Sequence, residues 1–269
     1  MLAFNLFLCL WLSRPIFCDT EGISNSEEKT LIDTNFDILP PGMILCSRNS
    51  SNSVRSDCIK DSINHLIPQL KNGFPPLDFP ILDPFLVNRT YIEYEQNFLK
   101  AKLNVTEALV RGVSTGEVKM VKSKLNSTHF YVLFDLHVPV IQIEADFEGR
   151  TLFNDLVVQS EGHAVIDCFK VIATFKFNGV LQTLDDGEDY MIVKSANFTK
   201  VVMEEMKLNG TGLLPEPELN EVVVQILNEI WEMLLQNIFP RFKASWDPII
   251  VDLLNCFFEK VPFNMLMEN

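Results

Sequence analysis

The chain is short of positive charge. Its 269 residues carry 22 Lys and Arg against 36 Asp and Glu, a formal charge of −14. Such a field opposes binding to nucleic acid or an anionic bilayer and favours solubility. No Lys/Arg-rich run offsets it. The densest grouping, Lys119, Lys122 and Lys124, is interleaved with apolar residues and reads as one strand face. Histidine is scarce too. His65, His129, His137 and His163 have no ligand spacing, and Asp185-Asp-Gly-Glu-Asp189 lacks the oxygen spacing of an EF-hand loop, so no metal is expected. A Gly-rich phosphate loop and a dinucleotide fingerprint are both missing, and no cofactor is expected. Acids and prolines interrupt the longest apolar pattern, so no integral membrane association is expected beyond the N-terminus. Tyr and Trp number only 4 and 3, beside 21 Phe. Phe brings apolar surface with no polar handle. By composition alone, that surplus serves either an ordinary core or an apolar cavity for a lipid-like ligand.

The N-terminus, 1–18, reads as a secretory signal peptide. Leu2 to Leu12 is an apolar run broken only by Asn5 and too short to span a bilayer. Cleavage after Cys18 removes Arg14, the leader's one charge, and takes −14 to −15. Residues 19–38 read as a flexible, acidic mature N-terminus. Four cysteines follow. Cys46 and Cys58 are close, with polar flanks, and a bridge between them is worth about 3 kcal/mol in the chain-entropy model. Cys168 and Cys256 either pair or are two buried thiols. Secretion gives meaning to the sequons at Asn49, Asn88, Asn104, Asn126, Asn197 and Asn209, the candidate glycosylation sites; a match is permissive, some are expected to be unused, and any that is glycosylated must face solvent.

Apolar spacing then predicts the elements. Ile59, Ile63, Leu66, Ile67 and Leu70 fall on one face of a short helix capped by Ser56, bent by Pro68 and ended by Gly73. Four sets alternate with period two: Leu99–Val105, Phe130–Val138, Ile141–Phe147 and Phe169–Phe177. The last set is expected on a single face. Asp186-Gly187 and Asn209-Gly210 read as turns. From Leu219 to Leu266 apolar residues recur at helical steps with a narrow polar face, so this rod needs cover on most of its circumference. Roughly 20 residues before Pro240 make a rod of about 30 Å. Pro240 should kink it, Asp247-Pro248 resembles a helix start, and Pro262 ends it, giving one kinked helix or two end to end. The fold class is α+β: an antiparallel sheet curled around a long C-terminal helix.

The residues from Leu39 to the C-terminus resemble the secreted takeout / juvenile-hormone-binding-protein family of arthropods. The resemblance rests on Cys46 and Cys58 before an amphipathic helix, then Gly73, then Pro80-Ile-Leu-Asp-Pro84. Arg111-Gly-Val-Ser114, Phe147-Glu-Gly149 and Asp186-Gly187…Tyr190 are similar to further family segments. Ser160-Glu-Gly162 has Ser where the family often has Gly, Phe147 lacks the family's Tyr hydroxyl, and Cys168 and Cys256 are extra. The resemblance implies one domain over 39–269, a strongly curved sheet and a hydrophobic tunnel. It also implies a carrier of terpenoid, fatty-acid-like or quinone-like compounds in haemolymph or sensory fluid, with circadian, feeding or chemosensory roles.

The expected ligand-binding residues are Phe130, Phe134, Leu136, Phe175 and Phe177 on strands, with Trp231, Leu234, Leu235 and Phe239 on the rod. They are chosen by periodicity, and a packed core is the commoner fate of such residues. No enzyme is expected. Gly112-Val-Ser-Thr-Gly116 matches a nucleophile elbow, but alternation continues after it where that motif needs a helix. A secreted hydrolase using Ser114 and an interaction protein with a filled core are the alternatives. The expected partner is a small hydrophobic ligand.

Overall fold

The structure, a computed structural model, describes residues 39–96, 99–153 and 156–268. The expected leader at 1–18 and the expected flexible segment at 19–38 lie outside the described residues. In chain order the elements are β1 (Cys46–Ser47), α1 (Asn52–Gln69), β2 (Phe85–Gln96), β3 (Leu99–Arg111), β4 (Glu117–Leu125), β5 (His129–Phe153), β6 (Leu156–Thr183), β7 (Asp189–Val202), β8 (Glu205–Thr211), α2 (Pro217–Glu229), α3 (Trp231–Phe258), α4 (Phe263–Leu266) and β9 (Met267–Glu268). Strands β2 to β8 form one open antiparallel sheet, and β1 pairs in parallel with β9. The spine is the β5–β6 hairpin, paired from His129↔Val180 to Phe153↔Leu156. β3 and β4 share one edge of β5; β7 and β8 share the outer edge of β6. Helix α3 touches both β2 and β7, which end the path β2-β3-β5-β6-β7. At about 4.8 Å per strand a flat sheet would hold those edges too far apart for one helix about 10 Å wide, so the sheet is strongly curved around α3.

Two of the alternating sets belong to one strand. Phe130, Val132 and Val138 are buried at even positions of β5, and Phe147 at an odd one. The parity changes at Pro139, which has no N–H for the ladder. Lys170, in the facing stretch of β6, has φ 49°. Together these bend the hairpin and exchange its faces. Val171, Ala173, Phe175 and Phe177 are buried as expected. Phe169 is not on their face: Cys168 takes the buried place, and the Phe169 ring lies 5.4 Å from Lys207 Nζ. Asn209-Gly210 is not a turn either. Both residues pair within β8, and the chain turns at Gly212, whose φ is 74°.

Helix α1 starts earlier than its apolar stripe. Ser51 caps it, accepting from Val54 N–H at 3.4 Å. Ser56, expected as the cap, is buried inside the helix. Its Oγ donates to the Asn52 carbonyl at 2.6 Å and accepts from Ser123 N–H of β4 at 3.0 Å. A buried polar face is invisible to a search for apolar periodicity. The rod also breaks elsewhere: Pro240 and Pro248 lie inside α3, and the interruption is at Ile230, with φ −107° and ψ 14°.

Asparagines explain that break. Asn228 Oδ1 accepts from Leu208 N–H at 2.7 Å while Nδ2 donates to the Leu208 carbonyl at 2.8 Å, fixing α2 to β8. Asn220 accepts from Leu213 N–H at 2.9 Å and donates to the Gly210 carbonyl at 2.8 Å. Asn255 of α3 clamps Val193 of β7 the same way, at 2.7 and 3.2 Å. Asn64 of α1 clamps Val118 of β4, at 2.6 and 3.0 Å. Each amide stands in for a residue of a missing neighbouring strand and satisfies backbone groups that are costly to leave unpaired. Since α2 is clamped to β8 and α3 to β7, the rod turns between Asn228 and Trp231.

Two of the family-like segments meet at Asp83. Its Oδ2 accepts from Ser114 Oγ at 2.6 Å, Gly112 N–H at 3.0 Å and Ser114 N–H at 3.3 Å. Gly112 has φ 98°, and a Cβ there would lie 2.1 Å from the Val140 carbonyl oxygen, so only glycine fits. Burial opposes the Asp83 charge, but the bonds from Ser114 and Gly112, with Lys71 nearby, hold its carboxyl below the ordinary value. A depressed carboxyl stabilises the fold above the unfolded pKa of about 3.9, and this contribution is lost as pH falls through the lower folded value. Asp83→Asn is therefore expected to cost about 1–3 kcal/mol at pH 7, because an amide cannot satisfy all three donors. It should also remove part of the acid sensitivity below about pH 4. Urea unfolding from pH 7 to 3 tests this; parallel pH curves for the two proteins would refute it.

Candidate ligand site

An aromatic chain runs along the concave face of the sheet. Ring centroids are 6.1 Å apart for Phe130–Phe177, 6.4 Å for Phe177–Phe175, 5.1 Å for Phe175–Phe134 and 5.5 Å for Phe175–Phe198. It reaches the helices through Phe177–Phe258 at 6.0 Å and Phe130–Phe263 at 5.7 Å. Phe130, Phe175 and Phe177 are buried with Ile250, Phe257, Val261 and Phe263, and Phe134, Trp246 and Phe258 pack against them. Trp246 also packs on a second cluster, Phe85, Val87, Val105 and Ala108, at the β2–β3 edge.

The structure thus separates the expected ligand residues into three groups. Phe130, Phe134, Phe175 and Phe177 come together, against the second half of α3. Leu136 packs on a different cluster, Val138, Cys168 and Val171, where Ile141, Ile166 and Met206 are also only partly buried. Trp231, Leu234, Leu235 and Phe239 lie on the first half of α3 and remain half-buried. Phe239 stands seven residues before Trp246 and eleven before Ile250, so it continues their face of the helix; Leu235 is one turn further along. Ile250, Phe257, Phe258 and Phe198 join the aromatic cluster but are absent from the expected set. The first three carried the rod's apolar signal, but nothing in spacing says which half of a helix meets which strands.

Cys46 and Cys58 form the expected disulfide. Cys168 and Cys256 do not pair: Cys168 is a buried free thiol. Burial, with Asp167 adding, pushes the Cys168 thiol up to about 11, so it stays protonated and unreactive at neutral pH. A separate open groove of about 450 Å³ lies over β3, β5, β6 and β8, lined by Thr106, Asp146, Phe147, Glu148, Glu161, Gly162, His163 and Thr211. It is polar. His163 Nδ1 is 2.8 Å from Asp146 and Arg111 Nη1 is 2.6 Å from Glu144. No group of ligating side chains that could hold a metal occurs among the described residues. Ser114 Oγ gives its hydrogen bond to Asp83, in a turn between strands rather than before a helix, and no histidine contacts it among the described hydrogen bonds.

An open, curved antiparallel sheet closed on a long helix, with apolar side chains on both, defines an α+β sheet-around-helix fold. The family model described as haemolymph juvenile hormone binding protein matches residues 29–268, and the chain belongs to that family. Its structure is similar to Takeout 1 of Epiphyas postvittana, with a TM-score of 0.67 and 15% identity, covering 84% of this chain and 100% of that one. A lipopolysaccharide binding protein aligns with a TM-score of 0.29 and 12% identity, covering 62% of this chain and 34% of that one. No curated protein sequence matches.

Proposed function

We propose that this protein is a secreted, non-catalytic carrier of a small hydrophobic ligand, held between the first half of α3 and the concave face of the sheet. The observation that carries the reading is the unequal packing of α3. Ile250 and Phe257 are buried in the aromatic cluster and half-buried Trp246 packs against it, while Leu235 and Phe239 continue that face half-buried and outside the cluster. Leu136, Ile141 and Ile166 on the sheet are likewise apolar and incompletely covered. A long-chain ligand between these surfaces gains roughly 25 cal/mol per Å² buried, less the cost of association. Membership of a family described as hormone-binding supports the same reading. The ligand class proposed is terpenoid, fatty-acid-like or quinone-like. Secretion is supported by the leader, the Cys46–Cys58 disulfide and six sequon asparagines that are all at least partly exposed.

Delipidated protein titrated with palmitate or a sesquiterpenoid is expected to bind one ligand per chain by native mass spectrometry. Tryptophan emission should change saturably, and Trp231→Phe should remove most of that change, because Trp246 is already packed. If no such ligand binds, the carrier reading falls and the clusters are simply core. If ligands bind with no change in emission, the site does not pass Trp231.

A further inference from the structure

The edges of an open sheet are templates for another strand, and folded proteins guard them. Three edge strands here are guarded from within: β4 by Asn64, β7 by Asn255, and β8 by Asn220 and Asn228. None of these asparagines reaches β2, which among the described residues pairs as a strand with β3 and is touched by α3. β2 is twelve residues long, ample for strand addition. Both acidic side chains of this strand are already matched, leaving Arg89 as its remaining charge. Glu93 pairs across the ladder with Lys102 at 2.7 Å, and Glu95 with Lys100. Leu86 and Tyr91 are 40% and 54% exposed. Paired charges and exposed apolar side chains on a long edge describe a surface that self-associates.

One irregularity interrupts that edge. Arg89 has φ 36° and drops out of the pairing between Asn88↔Glu107 and Thr90↔Val105. The residues around this kink are Asn88-Arg89-Thr90, an N-glycosylation sequon. Asn88 is exposed, and its neighbours across the sheet, Glu107 and then Asp146, are exposed polar residues. We propose that Asn88 carries an N-glycan whose role is to cover the β2 edge and prevent a second copy of the chain from adding a strand there. An incoming strand would lie about 4.8 Å from β2, and its side chains would meet the oligosaccharide at once. The inference rests on the secretion reading, since only a chain that enters the secretory pathway meets the glycosylating enzyme.

The test uses the full chain secreted from a eukaryotic host. Glycopeptides are mapped after enzymatic release of N-glycans in heavy-oxygen water, and mass in solution is measured by size exclusion with light scattering. Asn88 should be occupied and the protein monomeric. Thr90→Ala should abolish occupancy at Asn88 and give a concentration-dependent doubling of mass or more. Thr90→Ser, which keeps the sequon, should stay glycosylated and monomeric. Thr199→Ala, which removes the Asn197 sequon, should also stay monomeric. Adding Tyr91→Lys to Thr90→Ala should restore the monomer by putting an unpaired charge on the edge. An unoccupied Asn88 beside other occupied sequons overturns the proposal and leaves secretion standing. So does a monomeric Thr90→Ala protein, or self-association that Tyr91→Lys does not relieve. Protein retained in the cell with no sequon occupied overturns both.

Discussion

Asn255→Leu is expected to destabilise the protein by about 2–4 kcal/mol, although leucine has the same branched side-chain skeleton and is more apolar. Val193 is buried, and Asn255 satisfies both its N–H and its carbonyl. Leucine would leave two backbone groups without partners, each worth about 1–3 kcal/mol when buried. The clamp lies one residue from Leu254 and two from Phe257, so its loss also loosens the helix where it meets the aromatic cluster. Asn255→Asp should be no milder, because it keeps the acceptor for Val193 N–H but sets a carboxylate against the Val193 carbonyl. Urea unfolding gives the energy, and amide exchange at Val193 reports the bond directly. An unchanged unfolding midpoint would show that the clamp is incidental. The result also bears on self-association, since freeing the β7 edge should give Asn255→Leu an interface that β7 otherwise conceals.

Phe239→Asp is expected to lower affinity for a long-chain ligand by at least 100-fold, about 2.7 kcal/mol, while shifting stability much less. Phe239 continues the face of Trp246 and Ile250 yet is only half-buried, so in the free protein a carboxylate there can stay hydrated. In the complex the apolar ligand would strip that hydration without supplying a hydrogen bond. Phe177→Ala provides the contrast: truncating a buried aromatic should cost about 3–5 kcal/mol of stability. Calorimetric titration and urea unfolding of both variants separate the two roles. Unimpaired binding by Phe239→Asp would move the ligand away from the first half of α3.

The aromatic cluster also marks how far periodicity carries. Phe175 and Phe177 on β6 and Phe130 on β5 were identified as facing one side because a strand has period two, and they do. The same rule misplaced Phe169, because Lys170 adopts a left-handed conformation and exchanges the faces of the strand. A single backbone angle of that kind has no apolar signature. Trp231, Leu234 and Leu235 satisfied the helical rule, but a helix pattern repeats along its whole length and does not say which turn will be covered.

By itself the sequence determined the α+β class, the antiparallel strands, the long apolar rod and the Cys46–Cys58 bridge, because each is written in local spacing: period two, period 3.6, and two cysteines close along the chain. Its motifs also pointed to the family, and the family model bears this out. Only the tertiary structure decided where the rod breaks, how the parity change folds into one bent hairpin, and which half of α3 is sealed. It alone joined Asp83 to Gly112 and Ser114, separated Cys168 from Cys256, and set Asn64, Asn220, Asn228 and Asn255 against strand edges. Those outcomes depend on residues far apart in the chain. Asparagine looks the same on a solvated helix face as beside an unpaired strand, until the sheet curves round and supplies the backbone groups it binds.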